Sequence, residues 1–193
     1  MKKLKEMLFK FMSQTLSLKE FETWLYNDDY VNSQLLKNDI IFELVNINLN
    51  SKHVFKELEK FCFAYFDKEE CLIQIVKYNC EVLLEYKSDE AIENLIKNIC
   101  YFYDWNNDYY LISQIYYCAD DWDLAKDGYI EKQEVKNEFI VYSKSYLEKL
   151  QGLNREESIQ LLKNGIELKK VIPEQLKNSE IEAKIKKWFQ FWK

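Results

Sequence analysis

The side chains whose spacing comes nearest to a chemical site are Asp123, Asp127, Glu131 and Glu134, with Gly128 between them. Carboxylates at the first, fifth, ninth and twelfth positions of a loop, glycine at the sixth and an apolar residue (Ile130) at the eighth follow the helix–loop–helix calcium site. The third position departs from it, because Ala125 carries no side-chain oxygen, and no second loop of this kind occurs in the chain. The same residues also read as an acidic helix end, a glycine turn and a new helix whose first glutamates face its positive N-terminus. Calcium binding by a helical protein is therefore the alternative reading of the chain, and no cofactor is expected on the leading one.

Other chemistry is poorly provided for. His53 is the single histidine and adjoins Lys52 at the start of an apolar-periodic run, which fits a surface position. One histidine cannot supply the paired Glu-x-x-His ligands of a helical di-iron site. Cys62, Cys71 and Cys80 recur at intervals of nine, and Cys100 and Cys118 stand further on. That spacing does not suit zinc, and buried free thiols are expected instead. Three glycines cannot build the phosphate-binding or nucleophile-elbow loops of the common enzyme motifs, and none of those motifs occurs. An enzyme is not expected.

A binding surface is better represented. No lysine or arginine occurs between Lys97 and Lys126, while Asp104, Asp108, Asp120, Asp121 and Asp123 stand among nine aromatics from Tyr101 to Trp122. Carboxylates steer the approach of a basic partner, and rigid aromatic rings supply the area it buries. Asp104, Asp108, Tyr109, Tyr110, Tyr117, Asp120, Asp121 and Trp122 are the candidate contacts, and Asp28, Asp29 and Tyr30 could extend the same surface. A central helix pair with solvated aspartates is the competing account, since some of these rings must face a core.

The elements that must position these residues are helices. Leu4, Met7, Leu8 and Phe11 define a first helix over about 2–13. Capping-box spacing recurs at Ser17–Glu20, Asp67–Glu70, Asn154–Glu157 and Ser179–Glu182. Asn38, Ser51 and Ser88 open further helices, and Asn106 and Asn107 separate two others. A helix over 130–151 ends at Gly152, Gly165 stops the next, and Pro173 sits in the first turn of a short one. The last helix lines up Ile181, Ile185, Trp188, Phe189 and Trp192, with Lys184, Lys186 and Lys187 near its end. The pattern predicts an all-α fold, a single compact bundle of about ten short to medium helices over 1–193, with a soft subdivision near residue 88.

Composition agrees. With 48% hydrophobic and 16% aromatic residues the chain can bury a large core, and one proline and three glycines are too few for a hairpin-rich sheet protein. A net charge of −6 disfavours nucleic-acid binding through a basic face and suits a basic protein partner. No segment has the roughly 18 apolar residues of a membrane span. Glu6 and Lys10 interrupt the run that a signal peptide needs, and the cysteine count is odd, so a cytoplasmic location with reduced thiols is expected.

The N-terminal helix, the run Phe21, Glu22, Thr23, Trp24, Leu25 and Tyr26, and the later run from Asp39 to Leu44 resemble small helical immunity proteins of bacterial polymorphic and contact-dependent toxin systems. The resemblance covers about residues 1–60 and extends in a general way to colicin-type helical immunity proteins. It implies an antitoxin-like protein that occludes a cognate toxin, often a basic nuclease. It carries over no contact residues, because those vary with the toxin.

Overall fold

A computed structural model describes residues 1–103 and 109–166. The expected helices at Pro173 and Ser179, the Asn106–Asn107 break, and the candidate contacts Asp104 and Asp108 lie outside the described residues. Among the described residues there are ten helices and no strand: α1 (Lys2–Met12), α2 (Leu18–Asn27), α3 (Asp29–Gln34), α4 (Asp39–Val45) and α5 (Val54–Tyr65). The second set is α6 (Lys68–Tyr86), α7 (Asp89–Cys100), α8 (Tyr110–Lys126), α9 (Lys132–Leu150) and α10 (Arg155–Asn164). The protein is an all-α bundle.

Local chemistry places most helix starts where the polar residues stand. Ser17 and Asn154 each close a full capping box with the glutamate three residues on. Asp28, Asn38, Asp67 and Ser88 accept amide protons of the first turns of α3, α4, α6 and α7. Each such cap satisfies a donor that the helix itself leaves orphaned. Ser51 is displaced from its expected role. Residues 51–53 form a turn in which its hydroxyl takes the His53 amide and bonds Glu57, and α5 begins two residues later, with exposed His53 at the N-cap. Gly165 ends α10 at φ 71° and ψ −163°, a conformation essentially reserved for glycine.

The core is organised around α6, which buries Cys71, Leu72, Ile73, Ile75, Val76, Cys80 and Leu83. Those positions cover more than one face, and α1, α5, α7, α9 and α10 pack around them. Helices on either side of residue 88 therefore share one core. Two tyrosines of α9 pin it there through backbone carbonyls: Tyr146 donates to Ile73 O on α6 at 2.9 Å, and Tyr142 donates to Leu111 O on α8 at 3.1 Å. A buried polar junction joins α1, α6 and α7. Asn98 Nδ2 donates to Ser13 O (2.8 Å) and to Asn79 Oδ1 (2.9 Å), and Asn79 donates in turn to Ile75 O. No described helix is long and apolar enough to cross a membrane.

Candidate acidic aromatic surface

Helix α8 is held on three sides, by α7, α9 and α10, and sends Leu111, Ile112, Ile115, Trp122 and Ala125 inward. What it leaves outward is ordered. Tyr110, Tyr117 and Leu124 are each about half exposed and follow one another at intervals of seven, which puts them on one face, about 21 Å from first to last. Exposed Asp120 and Asp121 lie three and four residues after Tyr117 on that face. Neither aspartate forms a salt bridge among the described residues. Both bear on neighbouring thiols: after burial, Asp120 pushes Cys100 and Asp121 pushes Cys118 further up, each to about 11.

Tyr117 is braced rather than free to swing. Tyr103 stacks on Tyr116 with centroids 4.1 Å apart and planes 10° apart, and Tyr116 meets Tyr117 edge-on at 6.0 Å. Burial, and then a hydrogen bond with Tyr117, raise the Tyr103 phenol above its ordinary value. A ring fixed in this way loses little conformational entropy on contact with a partner.

The structure thus keeps Tyr110, Tyr117, Asp120 and Asp121 together as an exposed set and removes two other candidates from it. Trp122 is 1% exposed, packs edge-on against Phe139 and carries Lys132 over its ring, so it is a core residue rather than a contact. The reason is helical phase: Trp122 lies five residues after Tyr117, on the far side of α8. Tyr109 is 9% exposed and donates its hydroxyl to Glu69 on α6, outside the face altogether. Leu124 belongs to the face although its type gave no chemical signal; the seven-residue step from Tyr110 and Tyr117 would have found it.

Asp28 leaves the proposed surface as well. Its Oδ1 accepts the amides of Tyr30 and Val31, while its Oδ2 takes Lys3 Nζ and Trp24 Nε1. The calcium-loop residues do not converge either. Helix α8 runs on to Lys126, so Asp123 projects from its side and pairs with Lys126 at 2.7 Å. Only residues 127–131 separate α8 from α9, too short a span to wrap backbone and side-chain oxygens around one ion. Among the described residues no three acidic, cysteine or histidine side chains are gathered as a metal would require, so Asp123, Asp127, Glu131 and Glu134 do not form a site here.

The five thiols are free, with Cys62, Cys71 and Cys80 buried. Burial pushes Cys71 and Cys80 up to about 12 and raises Cys62 further still, which makes them poor nucleophiles. An open groove of about 700 Å³ lies between α1, α6, α9 and α10, with Ile73, Leu147 and Ile159 among its lining residues. Lys5 and Arg155 on its rim are already paired, with Glu70 and Asp67. Compared with protein-family models, with curated proteins and with solved structures, the chain finds no match.

Proposed function

We propose that this protein is an immunity-type inhibitor that binds a basic toxin domain through the exposed face of α8 and neutralises it by occlusion. The observation that carries this reading is the alignment of Tyr110, Tyr117 and Leu124 beside Asp120 and Asp121, with no described cation pairing those carboxylates. Carboxylates that no described cation neutralises present their field to a positive partner, and the half-exposed rings provide the contact that follows. The partner proposed is a protein, neither nucleic acid nor membrane, and the compartment proposed is the bacterial cytoplasm. The role proposed is binding without catalysis.

The test is co-expression and co-purification with the product of the neighbouring upstream gene, followed by measured association rates. That product should be toxic alone, be neutralised by this chain, and bind it. The double variant Asp120→Lys/Asp121→Lys should associate about tenfold more slowly at low salt, with the difference shrinking as salt rises. A neighbour that is harmless alone, or that does not bind, removes the proposal. Binding whose rate ignores the two aspartates would move the interface off α8.

A further inference from the structure

The turn between α8 and α9 carries apolar side chains outward on a fixed backbone. Gly128 takes φ 79° and reverses the chain. Its amide donates to Ala125 O at 3.2 Å, and the Tyr129 amide donates to Leu124 O at 2.9 Å. These are the two bonds of a Schellman motif, in which the side chain after the glycine meets one in the last turn of the helix. Here that pair is Tyr129 and Leu124. Such a contact usually seals a helix end, yet Tyr129 stays 76% exposed, the most open aromatic ring among the described residues, and Leu124 and Ile130 are exposed beside it. Every residue from Lys126 to Glu134 is exposed, and a Cβ on Gly128 would meet nothing within 4 Å. The turn is a projecting apolar tip.

We propose that this tip anchors the interface: Leu124, Tyr129 and Ile130 enter together an apolar pocket, bordered by lysine or arginine, on a protein partner. As this rests on the reading of the chain as a toxin inhibitor, the pocket belongs to the toxin domain. A helix face can only abut a partner, whereas a tip can be enclosed by one, and binding energy concentrates where water is fully excluded. Because the backbone bonds already fix the tip, little ordering is left to be done on contact.

Charge selects the partner. The lysines at this end are engaged: Lys126 bonds Asp123 at 2.7 Å, and Lys132 and Lys136 bond Asp89 at 2.7 and 2.9 Å. Asp127 and Glu131 flank the apolar residues and form no ion pair among the described residues. Asp120 and Asp121 stand one turn before Leu124 on α8. Glu131, at the N-cap of α9, suits the positive end of that helix. Asp127 does not suit its own place. It is the C-cap of α8, at the negative end of the dipole, where a cation would stabilise. Lys126 is bonded to Asp123 and lies in the fields of Glu93 and Asp127 as well, so one lysine answers three carboxylates. A charge that costs the free protein stability is accounted for by a partner that compensates it. The basic border of the pocket supplies that compensation.

The test uses the full-length protein, with the product of the neighbouring upstream gene as the probe. In Tyr129→Ala/Ile130→Ala the complex should dissociate at least about thirtyfold faster, with association within about twofold of the parent. The free double variant should keep its melting temperature within about 4 °C, since both side chains are exposed. Asp127→Asn should melt about 1–3 °C higher at low salt, yet associate about twofold to threefold more slowly. Association that depends on Asp120 and Asp121, with dissociation that ignores the tip, overturns the anchor and leaves the α8 reading standing. A larger fall in the melting temperature of Tyr129→Ala/Ile130→Ala also overturns it, because the two side chains would then serve the fold. So does an Asp127→Asn protein less stable than the parent. A neighbour that does not bind removes the toxin reading and the anchor together.

Discussion

Asp28 illustrates how much a single carboxylate does once its neighbours are known. By type and position it looks like part of an acidic surface, yet its side chain is only 8% exposed and serves α1, α2 and α3 at once. The hydrogen bond from Lys3, the largest influence, holds its carboxyl below the ordinary value against the opposing effect of burial. Asp28→Ala should destabilise the protein by about 1–2 kcal/mol, from the lost cap and the Trp24 and Lys3 partners left behind. The pH dependence follows from the direction of the shift. A carboxyl depressed in the folded state stabilises fully above its unfolded value of about 3.9, and that contribution disappears as pH falls through the lower folded value. Urea titrations should therefore show a constant gap between the protein and Asp28→Asn above about pH 5, closing under stronger acid. A gap that does not narrow at all as pH falls below the unfolded value would remove the Lys3–Asp28 pair from the account.

At the scale of elements, α8 carries both the core and the candidate surface, and the division between them is the phase of one helix. Trp122 and Tyr117 make the contrast measurable. Trp122→Ala empties a fully buried site and should cost about 3–5 kcal/mol, whereas Tyr117→Ala, half exposed, should stay within about 1 kcal/mol. Denaturant midpoints with unchanged slopes would check both. If the two variants lost similar stability, Tyr117 would be structural and the face of α8 would lose its central ring. Among the described residues the Trp122 indole N–H has no hydrogen-bond partner, and Lys132 lies over the ring at 5.2 Å. Replacing Lys132 alone should be mild, since such contacts at partly exposed sites contribute about 0.5–1 kcal/mol.

The whole molecule is tied together by contacts between distant segments. Asn98 on α7 reaches the end of α1 across 85 residues of chain and α6 across 19, and Tyr146 joins α9 to α6 across 73. Asn98→Ala would leave the Ser13 carbonyl and the Asn79 oxygen without this donor in a buried place, and should cost about 1–3 kcal/mol. Because the junction couples both sides of residue 88, circular dichroism and tryptophan fluorescence should report one coincident unfolding transition in the variant and in the parent protein. Two separated transitions would mean that the helices before and after residue 88 fold as distinct units.

Much of the helical frame could be read from residue types alone. Ser17, Asn38, Asp67, Ser88 and Asn154 cap where they stand because capping is a local bargain between a side chain and the next few amides. The near absence of glycine and proline excluded most sheet architectures for equally local reasons. Ser51 shows the edge of that logic: its hydroxyl had a tighter turn available, and the choice depended on Glu57. The surface was less legible. An aromatic beside an aspartate has the same composition whether it is core or contact, and only the neighbours of α8 decide which side is covered. Packing against α7, α9 and α10 buried Trp122, the hydrogen bond to Glu69 drew Tyr109 inward, and Tyr110, Tyr117, Asp120 and Asp121 were left outside with Leu124. The sequence determined that this protein is helical and where its aromatic and acidic side chains are concentrated. Tertiary structure decided which of them meet solvent, because burial is a property of what packs against a helix and not of the helix itself.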